Sequence, residues 1–191
     1  MWILFVGKWP KVYGLYMLRR LRNTVDKYIL LTVYFSYIQS ILTYGIVLWG
    51  SSSNCKKLFI MQKRAIRLLC NVPILTSCKP LFVQLRVLTL YSLYIFHLLC
   101  FVHSNLELFS INADFHSYNT RNKDCLRVQQ YKYSSSQKNW FYISIKFYNS
   151  VPTSIKSLPH RKFKEKIKNI LIDECLYKAN EFFDIQWSQY V

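Results

Sequence analysis

The residues of this chain whose chemistry stands out are cations. They come in three groups: Arg19, Arg20 and Arg22; Lys56, Lys57, Lys63, Arg64 and Arg67; and Arg121 with Lys123. Positions 56, 63 and 67, with 60 between them, form one row on a helix, and no acid lies four residues away to pair with them. Such a row repels itself unless it meets anions. Its natural chemistry is neutralisation of a phosphate backbone, with interleaved aromatics available for base stacking. The nucleic-acid-binding set expected from sequence is therefore Arg19, Arg20, Arg22, Lys56, Lys63, Arg64, Arg67, Arg121 and Lys123. The bland reading of Arg19 to Arg22 is a helix C-terminus where the dipole favours positive charge. The whole chain carries 26 Lys and Arg against 9 Asp and Glu, a formal +17, yet is 52% hydrophobic. That combination describes a folded binder of polyanions, with nucleic acid first and an anionic membrane surface second.

Catalytic and metal chemistry find little support. His97, Cys100 and His103 follow an H-x-x-C-x-x-H spacing. On a helix these three spread over an arc, no fourth ligand is near in sequence, and a zinc site needs four ligands or three with an open position. They read as buried or interface side chains. The six cysteines form no CxxC pair, and no secretory signal precedes them, so they read as reduced thiols of an intracellular protein. Asp26, Asp114, Asp124, Asp173 and Asp184 are scattered, whereas a two-metal site needs converging carboxylates. There is no G-x-S-x-G, no glycine-rich phosphate loop and no HExxH. No catalytic residue, metal ligand or cofactor is expected.

The elements that would position the cations follow from periodicity. Lys11 to Arg22 reads as a short helix, with Val12, Leu15, Leu18 and Leu21 at helical spacing. Thr24 is the expected N-cap of a long helix from about Val25 to Trp49, with Asp26 in its first turn. No charge appears between Lys27 and Lys56, so Tyr28 to Trp49 has the length of a membrane span. It is two-faced, however. Thr32, Ser36, Gln39, Ser40 and Thr43 make a polar stripe, opposite Leu30, Val33, Tyr34, Ile38, Ile41, Leu42, Gly45 and Leu48. A lipid-facing helix would be apolar all round, so this pattern argues for a bundle helix and against a membrane as its solvent.

Downstream, Cys55 to Asn71 is the next helix, with Leu58, Met61, Ala65, Leu68 and Leu69 inward. A loop from Val72 to Lys79 contains Pro73, Pro80 to Leu88 is a short helix, and Leu90 to Val102 is a buried one. After Asn105 the texture turns polar and irregular. Cys125 to Tyr133 is a candidate strand, Ser134 to Gln137 a loop, and Trp140 to Tyr148 a strand or helix. Ser157 is the expected cap of a last helix entered at Pro159. Phe163, Ile167, Ile170 and Leu171 point inward there, and Arg161, Lys162, Lys164, Lys166 and Lys168 outward. The expected fold is mainly α: a small helical bundle over 1–105, then a basic, partly irregular C-terminal region over 106–191 with a short strand and a final helix.

Several of these stretches resemble one family. Tyr34 to Gly50 (Y-x-x-x-I-Q-S-x-L-x-Y-G-I-x-L-W-G) is similar to the region after the polymerase core of non-LTR retrotransposon reverse transcriptases, LINE-type and most like the jockey elements. LYMLRRLRN (Leu15 to Asn23), IMQKRAIRLLCN (Ile60 to Asn71), SCKPLF, LRVLTLYSLYIF, HSYNTRNK, YNSVPTSIK (Tyr148 to Lys156), KFK and a late EFF continue it in order, from about Lys11 to Phe183. The resemblance implies the thumb and C-terminal region of such an RNA-directed DNA polymerase. The palm with its (Phe/Tyr)-Ala-Asp-Asp aspartates, the fingers and the endonuclease have no counterpart in this sequence. The implied thumb-like bundle would bind template RNA or an RNA–DNA hybrid and would not polymerise alone. Its implied partners are that nucleic acid and an intact palm and fingers domain, which fits a fragment of a transposable element. Two other readings stay open: a small multi-pass membrane protein built on Tyr28–Trp49 and Leu88–Val102, and a non-functional relic.

Overall fold

The computed structural model describes residues 13–115, 121–130, 132–133 and 139–190. Lys11 and Val12, residues 116–120 of the HSYNTRNK stretch, and the Ser134 to Gln137 loop lie outside the described residues. Among those described, the chain is mainly helical and contains no sheet. It divides into two compact units, residues 1–94 and 95–191. The division falls inside the helix Leu90–Ser104, ahead of the change in composition at residue 105.

In unit 1, helix α1 covers residues 13–21 and α2 residues 27–43. The hydroxyl expected to cap α2 does not do so. Thr24 Oγ1 donates back to Leu21 O at 3.0 Å, and Asp26 occupies the cap position without a side-chain bond. α2 buries Leu30, Tyr34, Ile38 and Leu42, a strict four-residue repeat. An α-helix turns every ~3.6 residues, so that repeat should drift around the axis. α2 removes the drift by running as a π-helix from Tyr34 to Gln39, between α-helical Lys27–Val33 and Ser40–Thr43. The wider i→i+5 turns hold the four-residue stripe on one face. Thr32, Ser36 and Ser40 of the polar stripe lie outside as expected, whereas Gln39 and Thr43 are half-buried and the Gln39 Oε1 is buried without a hydrogen-bond partner. The hydroxyls bond back into the helix, Thr32 to Tyr28 O, Ser40 to Ser36 O and Thr43 to Gln39 O.

The helix does not continue to Trp49. Tyr44 is extended and Gly45 has φ +60°, a left-handed conformation that glycine adopts without steric cost. A separate turn, α3 (Ile46–Trp49), follows, and the Trp49 indole N–H closes the corner by donating to Tyr44 O at 2.8 Å. This corner turns Leu48, expected inside, outward to 71% exposure. Gly50 then lies under the Tyr94 ring, and a Cβ there would sit 2.1 Å from Tyr94 Cδ2. Burial pushes the Tyr94 hydroxyl up to about 12. The buried Cys55 thiol donates to Gly50 O at 3.0 Å and fixes the start of α4 (Cys55–Leu69).

α4 runs antiparallel to α2. Cys55 meets Gly50 just before α4 begins, and Gln62 in the middle of α4 meets Tyr34 in the middle of α2. Gln62 is fully buried in the middle of this contact. Its Nε2 donates to Tyr34 Oη and to Leu88 O, both at 2.9 Å, and its Oε1 accepts from Leu90 N at 2.8 Å. One side chain thus ties α2, α4 and the start of α6 (Leu90–Ser104). Thr89 caps that start: its Oγ1 accepts from Ser92 N at 3.1 Å.

α5 (Lys79–Leu85) stops before the expected Leu88. Arg86 takes a left-handed φ of 51°, so that Val87 N–H reaches Phe82 O and Arg86 N–H reaches Val83 O. That is a Schellman ending built on arginine where glycine is usual. Asn71 closes α4 with the same conformation.

Unit 2 contains the rest of α6, α7 (Trp140–Ser150), α8 (Thr153–Lys156) and α9 (His160–Glu174). Trp140 to Tyr148 is thus helical. Among the described residues of Cys125 to Tyr133, the expected strand does not form. Leu126 makes a single antiparallel bridge to Ile111, and the Asn149 amide occupies the place of a second strand. Asn149 Oδ1 accepts from Leu126 N at 3.0 Å and its Nδ2 donates to Leu126 O at 2.8 Å. Ser157 does not cap α9; its hydroxyl donates to Ser154 O, and Pro159 holds the cap position. Phe163, Ile167, Ile170 and Leu171 are buried as expected.

Candidate nucleic-acid interface

The antiparallel packing of α2 on α4 decides where the cations lie. Arg19, Arg20 and Arg22 end α1 and enter the α1–α2 corner, all exposed. Lys27 starts α2 at that same end, and the charge of Lys27 pulls against the burial that pushes the Cys70 thiol up. The last turns of α4 therefore bring Lys63, Arg64 and Arg67 toward the α1–α2 corner. Lys56 sits at the opposite end of α4, about 16 Å away along the axis at 1.5 Å per residue. The row of 56, 63 and 67 is thus one face, but only its C-terminal half joins the other cations.

These cations are not equivalent. Arg64 is exposed. Lys63 is half-buried with its ammonium 4.9 Å from the Phe59 ring centroid. Arg67 Nε donates to Thr76 O at 2.9 Å, so part of its guanidinium anchors the loop after α4. Arg20 lies over the Tyr16 ring at 5.9 Å. Burial pushes the Cys78 thiol up, opposed by Arg67 and Lys63 nearby, while the thiol donates to Lys63 O at 3.6 Å. Arg121 and Lys123 are exposed in a turn of unit 2. Lys123 O there accepts from Ala113 N at 3.1 Å.

Counted by unit, residues 1–94 carry thirteen Lys and Arg and one acid, Asp26. Residues 95–191 carry thirteen and eight. Sequence reasoning missed Lys27 as a member of the corner group, because its proximity to α4 is a tertiary fact. It also passed over Gln62, whose only signal was a lone amide inside an apolar helix stripe.

His97, Cys100 and His103 do not act as a set. Burial holds both imidazoles below the ordinary histidine value and pushes the Cys100 thiol up to about 11. His103 stacks on Phe163 at 4.0 Å between ring centroids and 7° between planes, and its Nδ1 lies 3.2 Å from Tyr148 Oη. His160 stacks beyond it at 5.5 Å. Among the described residues, no group of three or more His, Cys, Asp or Glu is disposed to hold a metal ion. Half-buried Lys156, its ammonium below the usual lysine range through burial, donates to Asn149 O at 3.2 Å. Each of these groups serves packing.

No single described helix is long and apolar enough to cross a membrane. The pair Lys79–Leu85 and Leu90–Ser104, bent by 51°, has the length and composition of a broken span. No family model, curated protein or solved structure matches the chain.

Proposed function

We propose that unit 1 is a thumb-like helical bundle that binds template RNA or an RNA–DNA hybrid through its phosphates, with no catalytic role of its own. The supporting observation is the imbalance of thirteen cations against one acid, with Arg19, Arg20, Arg22, Lys27, Arg64 and Arg67 gathered toward one end. A bundle so uncompensated is stabilised by a polyanion and destabilised by its own repulsion without one. The resemblance to the post-palm region of non-LTR reverse transcriptases supplies the nucleic acid's identity. The motif's Tyr44, Gly45, Trp49, Gly50 and Gln62 each have an architectural duty in this fold, which supports reading them as the frame of such a domain. Polymerisation would belong to a palm and fingers domain that this bundle meets.

The test is fluorescence anisotropy with an RNA–DNA hybrid across salt. Five phosphate contacts give a loss of about two to three orders of magnitude in affinity between 50 and 200 mM salt. Arg64→Ala, at an exposed position, should weaken binding by about threefold to tenfold and flatten the salt slope by roughly one. Affinity that is flat in salt, or unmoved by Arg64→Ala combined with Arg22→Ala, would falsify the reading.

A further inference from the structure

The end of unit 1 that gathers the cations also pushes apolar side chains into solvent. The loop after α4 carries Ile74 and Leu75 side by side, 80% and 96% exposed. The loop is not slack. Asn71 turns it left-handed, Val72 N–H returns to Arg67 O, Thr76 N–H closes a turn onto Pro73 O, and Arg67 Nε holds Thr76 O. The Cys78 thiol anchors its far side to Lys63 O. Two aliphatic residues are thus presented on a braced turn. At the α1–α2 corner, Tyr28 and Ile29 are 81% and 47% exposed. α4 runs antiparallel to α2 with Gln62 on Tyr34, so the end of α4 that leads into this loop lies at the same end of the bundle as the start of α2.

We propose that this end of unit 1 docks onto an anionic lipid surface. Ile74 and Leu75 would enter the acyl boundary, with Tyr28 at headgroup level and Arg22, Lys27 and Arg64 on the acidic headgroups. The argument is one of complementarity in two properties at once. Aliphatic tips gain free energy on transfer to hydrocarbon, whereas against phosphates they gain nothing. A wedge between bases, a role Ile and Leu can also fill, must first repay the unstacking of a base step, and the hybrid arm of the experiment below separates that role from insertion into lipid. An exposed tyrosine among cations is the composition of a membrane interface. The cations are matched to an anionic leaflet, and Asp26 is the one acid of the unit to oppose them. The surface is monotopic and needs no spanning helix. It shares Arg22, Lys27 and Arg64 with the hybrid-binding reading, so lipid and hybrid would compete for this end, but Ile74 and Leu75 carry it and it does not depend on that reading.

The experiment is co-sedimentation of the full chain with vesicles of phosphatidylcholine, with and without phosphatidylserine. Binding is expected only with phosphatidylserine. The double variant Ile74→Ser, Leu75→Ser, at solvent-exposed positions, should keep the wild-type melting curve and lose at least about tenfold in vesicle affinity. Lys27→Gln should lose about fivefold, an effect that disappears at high salt. Three results overturn the proposal: no sedimentation with phosphatidylserine vesicles; sedimentation that the double serine variant does not weaken; or a double serine variant that instead loses affinity for RNA–DNA hybrid. The third assigns the tip to nucleic acid and leaves the proposed function standing. Loss of hybrid binding in the wild type alone removes that function without touching this one.

Discussion

The two units carry the same number of cations and handle them in opposite ways. Unit 2 distributes eight acids among its thirteen Lys and Arg, with Arg161 and Glu165 paired at 3.5 Å on the outside of α9. Unit 1 has only Asp26. Their interiors differ as well. Unit 1 is tied by one buried amide reaching three partners from Gln62. Unit 2 is built of stacked rings: Phe163 on His103, Phe182 edge-on to Phe147 at 5.3 Å, and Trp187 edge-on to Phe182 at 5.5 Å. All four histidines fall in the range of unit 2. The contrast separates a unit whose cations meet a single acid from one whose cations are partly offset by acids of the same unit.

The contrast can be broken at the amides first. Gln62→Leu leaves Leu90 N–H, Leu88 C=O and Tyr34 Oη buried without that partner, and should cost about 3–5 kcal/mol. Asn149→Ala frees a partly exposed bridge that water can reach and should cost about 1–2 kcal/mol. Urea melts of the two variants would remove the distinction if their midpoints shifted equally. Gly50→Ala comes next. The added Cβ meets the Tyr94 ring at 2.1 Å and Ile46 O at 2.6 Å, an overpacking cost of about 2–3 kcal/mol that should appear as a lowered Tm.

Acid should reach unit 2 selectively. His103 has its value lowered first by burial and then by the His160 charge, so the unfolded chain binds its proton more readily than the folded one. The stability it confers is full above the unfolded value of about 6.5 and is lost as pH falls from there through the folded value. The urea midpoint of unit 2 should therefore fall on acidification, and His103→Phe, which keeps a ring against Phe163, should remove the His103 share of that slope and leave the share of His97. A pH-independent midpoint between about 7.5 and 5.5 would contradict it. The smallest effect is a gain. Arg86→Gly relieves a left-handed arginine in unit 1 and should raise stability by about 1 kcal/mol in the same melts.

Much of this was legible in the chain. The exposed Thr32, Ser36 and Ser40 of α2, the inward Phe163, Ile167, Ile170 and Leu171, and the basic outer row of α9 follow from spacing alone, because burial sorts side chains by face. The break at Gly45 was not read, since a lone glycine in an apolar run is compatible with a helix until a corner requires φ +60°. The π-helical segment was not read either. A four-residue repeat looks like an ordinary helical face over short windows and shows its drift only over the length of α2. The strand over Cys125 to Tyr133 failed for a different reason. Its alternation was real, but an Asn149 amide, distant in sequence, took the pairing that a strand would have needed.

A mainly helical, strongly basic chain and the apolar stripes of α2, α4 and α9 thus follow from the sequence alone. Those properties are sums over neighbours in the chain, governed by transfer free energy and charge. That α4 runs back along α2, with Arg64 and Arg67 toward the end where α2 starts and Lys56 toward the other, is a tertiary outcome. Only the tertiary structure decided that Gln62 and Asn149 are the polar ties of their units. Those outcomes rest on hydrogen bonds between residues more than twenty positions apart, and no local pattern encodes the partner of a buried amide.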